Sequence, residues 1–382
     1  MCKIFFKMKV VVVIPYFYPA FIYGGPVFAA YHLSQKAAEN GVNIDIITTN
    51  LNGDDKLDVV TNIFIDQCGL NVKYYNNCLL PFFSFKMIFG LSKDIKDANV
   101  VHIQSIYSLS TILALFHSYL QKKTVLLSPR GSLSLWSFKH RGLIKKIWIK
   151  FLIKPFQKRI YWHATSEKEI GDIQHFFSDA NIELVSDGVD FEESDIKSEC
   201  SKKWQNSFYI ACLGRLHKVK GYDIMLKAMP SILKIYSNLK LFIAGSDEGE
   251  LNILKDLSIK LKIQDNIEFV GHLNSNNKNC FLKHAQCLVM PSHTENFGLV
   301  AAEALFHNTP VIASKNTPWK VLETEHAGFH IINTPQAISL AVITILKDIK
   351  FYSKNTNRVV KRFSWNNIAK TYKSTLLKIS KH

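Results

Sequence analysis

Val289-Met290-Pro291-Ser292-His293-Thr294-Glu295-Asn296-Phe297-Gly298-Leu299-Val300-Ala301-Ala302-Glu303-Ala304-Leu305 joins a short apolar run, a polar loop and an alanine-rich run. The apolar run Cys287 to Met290 reads as a buried strand, and Pro291 with Ser292 ends it. After a polar loop, Leu299 to Phe306 reads as a buried helix rich in Ala and Leu. A helix start of this kind offers unpaired N–H groups and partial positive charge to an anion. Glu295 lies just before the helix and Glu303 eight residues on, about 12 Å away if the path is helical. The residues between them, Asn-Phe-Gly-Leu-Val-Ala-Ala, are too apolar for a solvated face. The spacing suits a ligand with hydroxyls at both ends and phosphate between them. Pro310 to Ser314 adds a second buried strand.

Working upstream, Phe208 to Leu213 reads as a strand, followed by Gly214-Arg215-Leu216-His217-Lys218-Val219-Lys220-Gly221 and a helix from Tyr222. Arg215 and Lys220 put compact positive charge on a glycine-flanked loop, as a diphosphate requires. Leu239 to Ala244 is the next strand, and Gly245-Ser246-Asp247-Glu248-Gly249 the loop after it. Val10 to Ile14, a helix from Val27 to Asn40 closed by Gly41, and Val42 to Thr48 make a βαβ unit near the start. The loop after its first strand is not G-x-G-x-x-G, but Gly24-Gly25 permits close backbone approach to a ligand. Leu51 to Phe89 is less regular. Asn99 to Gln104 is a strand in which His102 reads as a core residue. Thr124 to Ser128 is another, ending in Pro129-Arg130-Gly131. Ser166 reads as a helix cap, with Glu169 completing a capping box.

At 382 residues and 47% hydrophobic, the chain is expected to form two globular domains. The net charge of +16 points to phosphates, nucleic acid or an acidic membrane surface, unless it reflects a lysine-rich composition alone. Lys139 to Arg159 carries Lys139, Arg141, Lys145, Lys146, Lys150, Lys154, Lys158 and Arg159 with no acidic residue. Its apolar residues Leu143, Ile144, Ile147, Trp148, Phe151 and Leu152 recur at helical spacing, giving a basic amphipathic helix. Such a helix adheres to an anionic bilayer, offers an acceptor site for a lipid diphosphate, or packs its stripe on the domain core. No nucleic-acid module accompanies the charge. The seven cysteines have no C-x-x-C pair, so neither a disulfide framework nor structural zinc is expected. No apolar run is long enough for a transmembrane helix, and Met1 to Val13 does not look like a signal peptide. Met8 is an alternative start.

The block from Val289 to Leu305, with the Arg215/Lys220 loop, resembles the donor-binding signature of the retaining glycosyltransferases of family 4. The resemblance covers nearly the whole chain. It implies an α/β fold of two Rossmann-like domains (GT-B) facing across a cleft, with a C-terminal helix crossing back to the first domain. The implied boundaries are 1–190 for an acceptor-binding domain, 191–206 for a linker, 207–360 for a nucleotide-sugar-binding domain and 361–382 for the returning helix. It further implies transfer of a sugar from a UDP- or GDP-sugar to a glycan or lipid-linked acceptor in bacterial surface polysaccharide synthesis, in the cytoplasm or peripherally on the inner membrane face. Arg215, Lys220 and Glu295 become the catalytic candidates. Gly24, Gly25, Arg130, Gly245, Asn296, Phe297, Gly298, Leu299, Val300 and Glu303 become the ligand-binding candidates. No metal and no cofactor are expected, since Arg215, Lys220 and the helix start take the place of magnesium. The chain departs from the family pattern at Arg130, where many members have a His that touches the transferred sugar. An arginine there can pair with a phosphate or sugar carboxylate but is a poor base. Ser186-Asp187-Gly188 replaces the usual Pro-Asn-Gly, and Asn308 a usual Gly. The same architecture is compatible with a sugar phosphorylase or epimerase, or with a catalytically silent binding subunit.

Overall fold

The structure, a computed structural model, describes residues 8–78, 80–134, 138, 142–189 and 201–381. It divides into two compact units, Met1–Gly188 with Trp365–His382, and Val189–Ser364.

The first unit is built on an eight-stranded sheet. Its strand order is Asn181–Leu184, Ile160–Ala164, Thr124–Ser128, Val100–Gln104, Lys9–Val13, Asn43–Thr49, Leu70–Tyr75, Phe64–Gln67. All neighbours are parallel except the last pair. Lys9–Val13 sits in the middle, and its four valines are buried because helices cover both faces. On one face lie the helices Gly25–Glu39 and Trp365–Ile379. On the other lie Phe85–Asp94, Leu109–Leu120 and the segment 142–159. The final helix buries Trp365, Tyr372 and Leu376 among residues of the first strands, so the C-terminus belongs to this unit.

The second unit has six parallel strands in the order Ile267–Gly271, Lys240–Ala244, Tyr209–Leu213, Leu288–Met290, Val311–Ser314, Gly328–Ile331. Numbered within the unit this is 3-2-1-4-5-6, the doubly wound order that leaves a crevice where the direction of winding reverses. The reversal falls between Tyr209–Leu213 and Leu288–Met290. The organising stretch is confirmed as strand, loop and helix, with the helix at Leu299–Phe306.

Four local expectations change. Leu51 to Phe89 does contribute to the sheet, through Leu70–Tyr75 and the antiparallel edge strand Phe64–Gln67. The segment 142–159 is not one continuous α-helix. It is α-helical over Gly142–Trp148, widens to a π-turn over Ile149–Ile153 and tightens to 3₁₀ over Lys154–Arg159, Pro155 lying in the first 3₁₀ turn. The wider turn shifts the phase of the helix. Ile149 and Ile153 therefore face the core, and much of the anticipated stripe does not. Lys139 and Arg141 lie outside the described residues. Ser166 caps its helix by accepting from the Glu169 amide at 3.2 Å, but the capping box is not closed. The Glu169 carboxylate instead accepts from Thr165 N at 2.8 Å and Gly131 N at 2.6 Å, tying two strand-end loops together. Cys68, Cys78, Cys212 and Cys287 are free thiols, but Cys280 is disulfide-bonded, a contact that sequence spacing does not reveal. Of the segment read as a linker, residues 191–200 lie outside the described residues. Lys202–Gln205 is a helical turn whose Trp204 is buried against Phe281. No helix among the described residues is long and apolar enough to cross a membrane.

Candidate functional site

In the second unit the loops that leave the two central strands are packed against each other. A Cβ on Gly221 would meet the Pro291 carbonyl oxygen at 2.1 Å, and His293 N donates to Val219 O at 2.8 Å. Gly221 also holds a left-handed φ of +66°. Gly221→Ala is therefore expected to destabilise this unit by roughly 3 kcal/mol or more, from backbone strain plus the clash. Chemical denaturation reads that out, and an unchanged midpoint would contradict the packing described. The loop after Lys240–Ala244 joins the same group. Leu216 N donates to Ser246 O at 2.8 Å, and a Cβ on Gly245 would collide with the Gly214 carbonyl oxygen at 1.9 Å.

These contacts set the side chains. Lys220 Nζ lies 2.5 Å from Glu295 Oε1, which also accepts from Ser292 Oγ at 2.9 Å. Both side chains of this pair are mostly buried, at 20% and 13% exposure. Arg215 reaches Glu248 at 2.7 Å in an exposed pair. Behind them the helix Leu299–Phe306 begins at Gly298, whose φ of +78° makes the sharp entry. Trp319 Nε1 donates to Phe297 O at 2.6 Å and fixes that entry from below. The first-turn N–H groups have no acceptor within the helix. Beside them, Asn296 Oδ1 is buried with no hydrogen-bond partner. Glu303, further along the helix, pairs with Lys278 Nζ at 2.6 Å. Sequence reading thus named Arg215, Lys220, Gly245, Glu295 to Val300 and Glu303, and all belong to this unit. It missed Lys278 and Glu248, which reach their partners only through tertiary contact. Among the described residues, no three His, Cys, Asp or Glu side chains group as metal ligands.

Gly24, Gly25 and Arg130 belong to the first unit. Gly24 has φ +66° and Gly25 begins the helix Gly25–Glu39. Here too a cavity opens at the winding reversal, beyond Lys9–Val13 and Val100–Gln104. Its volume is about 120 Å³, and Tyr16, Gln104, Ser105, Arg130 and Ser132 are among its lining. Ser105 and Arg130, both non-glycine, adopt positive φ at the ends of neighbouring strands. Arg130 is not a free cation. It is ion-paired with Asp187 and donates to Gln104 Oε1 at 3.2 Å, while its Nε is buried without a partner.

Beneath Arg130 runs a buried relay. Tyr372 Oη meets His102 Nδ1 at 2.7 Å, His102 Nε2 meets Ser128 Oγ at 2.8 Å, Ser128 Oγ meets His163 Nδ1 at 2.6 Å, and His163 Nε2 donates to Val185 O at 2.8 Å. Burial first, and then the Arg130 charge, pushes His163 down to about 4. Burial, His163 and Arg130 lower His102 as well. Both rings are neutral near pH 7. A histidine with a depressed folded pKa binds its proton more readily in the unfolded chain. Stability is therefore full above about pH 6.5 and falls as pH drops toward 4. The expected loss from His163 is on the order of 3 kcal/mol. A melting temperature that stays level from pH 6.5 to 4 would contradict this.

Residues 194–362, most of the second unit, match the family model of the glycosyl transferases group 1. An uncharacterized glycosyltransferase of Methanocaldococcus jannaschii is 34% identical over 204 residues, covering 50% of this chain and 52% of that protein. The chain spans about half the length of the first curated relatives it matches. Among solved structures, sucrose-phosphate synthase from Thermosynechococcus elongatus superimposes with a TM-score of 0.76 at 17% identity, covering 98% of this chain and 99% of that one. Anabaena HepE in complex with UDP and glucose gives 0.71 at 16% identity, covering 97% and 100%. The fold is that of the two-domain GT-B glycosyltransferases.

Proposed function

We propose that the protein is a retaining, metal-independent glycosyltransferase. It moves a sugar from a UDP- or GDP-sugar to a glycan or lipid-linked acceptor in surface polysaccharide synthesis, at the inner face of the membrane. The observation that carries this reading is the Lys220–Glu295 pair at the winding reversal of the second unit, beside a helix start and the unpartnered Asn296 oxygen. In the proposed reaction the amides of Gly298, Leu299 and Val300, with Arg215 and Lys220, hold the diphosphate. Its charge rises as the sugar–oxygen bond breaks, so these donors stabilise the transition state more than the ground state. Glu295 accepts from hydroxyls of the transferred sugar, and Glu303 from the ribose. The loop from Gly245 lies on the base side, and Phe297 backs the diphosphate. The acceptor binds at the first unit, at the cavity beside Gly24-Gly25 and Arg130. Its hydroxyl oxygen attacks the anomeric carbon on the face the diphosphate leaves, and the departing phosphate oxygen takes the hydroxyl proton. The UDP complex of HepE supports a nucleotide donor. A thermal-shift screen of nucleoside diphosphates and their sugars tests the reading, followed by donor hydrolysis with the ligand that raises the melting temperature most. Absence of any shift would overturn it.

A further inference from the structure

We infer that one face of the first unit seats on an anionic lipid bilayer, with the apolar side chains of residues 143–151 entering the interface and the surrounding lysines lying against headgroups. The inference gives physical form to the membrane-side acceptor reading above and rests on it only for the acceptor; its test does not pass through catalysis.

The charge of this part of the chain is one-sided. From Ala98 to Ser166 the sequence has no Asp or Glu and 11 Lys or Arg, against a net charge of +16 for the whole chain. The phase of the helix points the same way. Trp148 Nε1 donates to Ile106 O at 2.9 Å, and Ile149 and Ile153 are buried, so the segment is anchored from that side. Leu143, Ile144, Ile147 and Phe151 are left 50–74% exposed, in one stripe at helical spacing. A stripe that packed on the core would be covered. The apolar surface also continues onto a neighbouring helix. The turn Lys154–Arg159 lies on the helix Leu109–Leu120: Arg159 Nη1 donates to Tyr119 O at 3.2 Å and Phe156 packs edge-on at 5.6 Å from the Tyr119 ring. That helix presents Phe116, Tyr119 and Leu120, each about half exposed, and Lys122 and Lys123 follow it. Broad apolar surface ringed by cations marks an interaction site. Aliphatic side chains carry no hydrogen-bonding groups to match a polar partner. Lysine stems can lie along apolar surface while their heads reach phosphate. An anionic bilayer meets both demands at once.

The test is co-sedimentation of the full chain with vesicles of phosphatidylcholine alone or with about one-third phosphatidylglycerol. The wild type is expected to sediment with the anionic vesicles and to remain largely in solution with the neutral ones. A variant with Leu143→Ser, Ile147→Ser and Phe151→Ser should bind anionic vesicles at least tenfold more weakly. A second variant with Lys146→Glu, Lys150→Glu and Lys154→Glu should do the same. All three proteins should share one melting temperature and the same nucleoside diphosphate affinity, which separates this inference from the enzymatic reading. Wild-type-like sedimentation of the serine variant would overturn it. So would a wild type that ignores anionic vesicles and instead self-associates through this face in sedimentation velocity.

Discussion

Lys220→Ala is expected to lower sugar transfer roughly 30- to 900-fold, a loss of about 2–4 kcal/mol of transition-state stabilisation as for a missing oxyanion donor. The physical case is the environment of the ammonium. It sits 2.5 Å from Glu295 with only one-fifth of its side chain exposed, so it acts in a medium where charge is poorly screened. Gly214 and Gly221 bring its backbone into place. A Cβ on Gly214 would stand 3.3 Å from Lys220 Cε, so the loop and the lysine stem are fitted to each other. Lys220→Arg keeps the charge and should recover part of the rate. Arg215 is 62% exposed and paired with Glu248, so its charge is more screened, and Arg215→Ala should fall toward the lower end of the range. Steady-state kinetics with the preferred donor reads this out. Wild-type turnover in Lys220→Ala would remove the diphosphate role.

Glu295→Ala is expected to abolish transfer while leaving the bare nucleoside diphosphate bound as tightly as before, or a few-fold more tightly. Glu295 occupies Lys220 in the structure and accepts from Ser292 as well. Its removal takes away the acceptor for sugar hydroxyls. It also releases the lysine from a competing carboxylate, which favours an incoming phosphate. Calorimetric titration separates the outcomes. A tenfold loss of nucleoside diphosphate affinity would mean that Glu295 positions Lys220 for the phosphate, contrary to the role assigned here.

The strand–loop–helix units were legible because each is a local pattern. A run of valines or alanines, a glycine at the turn and a helix of small apolar residues declare themselves within twenty residues. Asn308 shows the same local logic: it takes the left-handed φ of +60° that a glycine would otherwise hold. What stayed hidden depends on tertiary contact. Leu70–Tyr75 is the strand next to the sheet edge, yet its flanks carry no periodic signal, and only tertiary pairing with Asn43–Thr49 and Phe64–Gln67 makes it one. Asp187 follows Arg130 by 57 residues, and nothing in its turn-forming sequence announces an ion pair. Lys278 sits in a polar helix, Ser275–Lys283, and only the fold brings it to Glu303. Lys139 to Arg159 reads as a helix with one stripe, and the π-turn over Ile149–Ile153 divides that stripe between core and surface.

In the proposed reaction Lys220 and the start of the helix Leu299–Phe306 together hold a diphosphate. The measurement that tests this most directly is a calorimetric cycle comparing nucleoside diphosphate with nucleoside monophosphate on wild type and Lys220→Ala. The wild type should prefer the diphosphate strongly, and Lys220→Ala should lose most of that preference while binding the monophosphate nearly as before. An equal loss for both nucleotides, or an undiminished preference, would contradict this role.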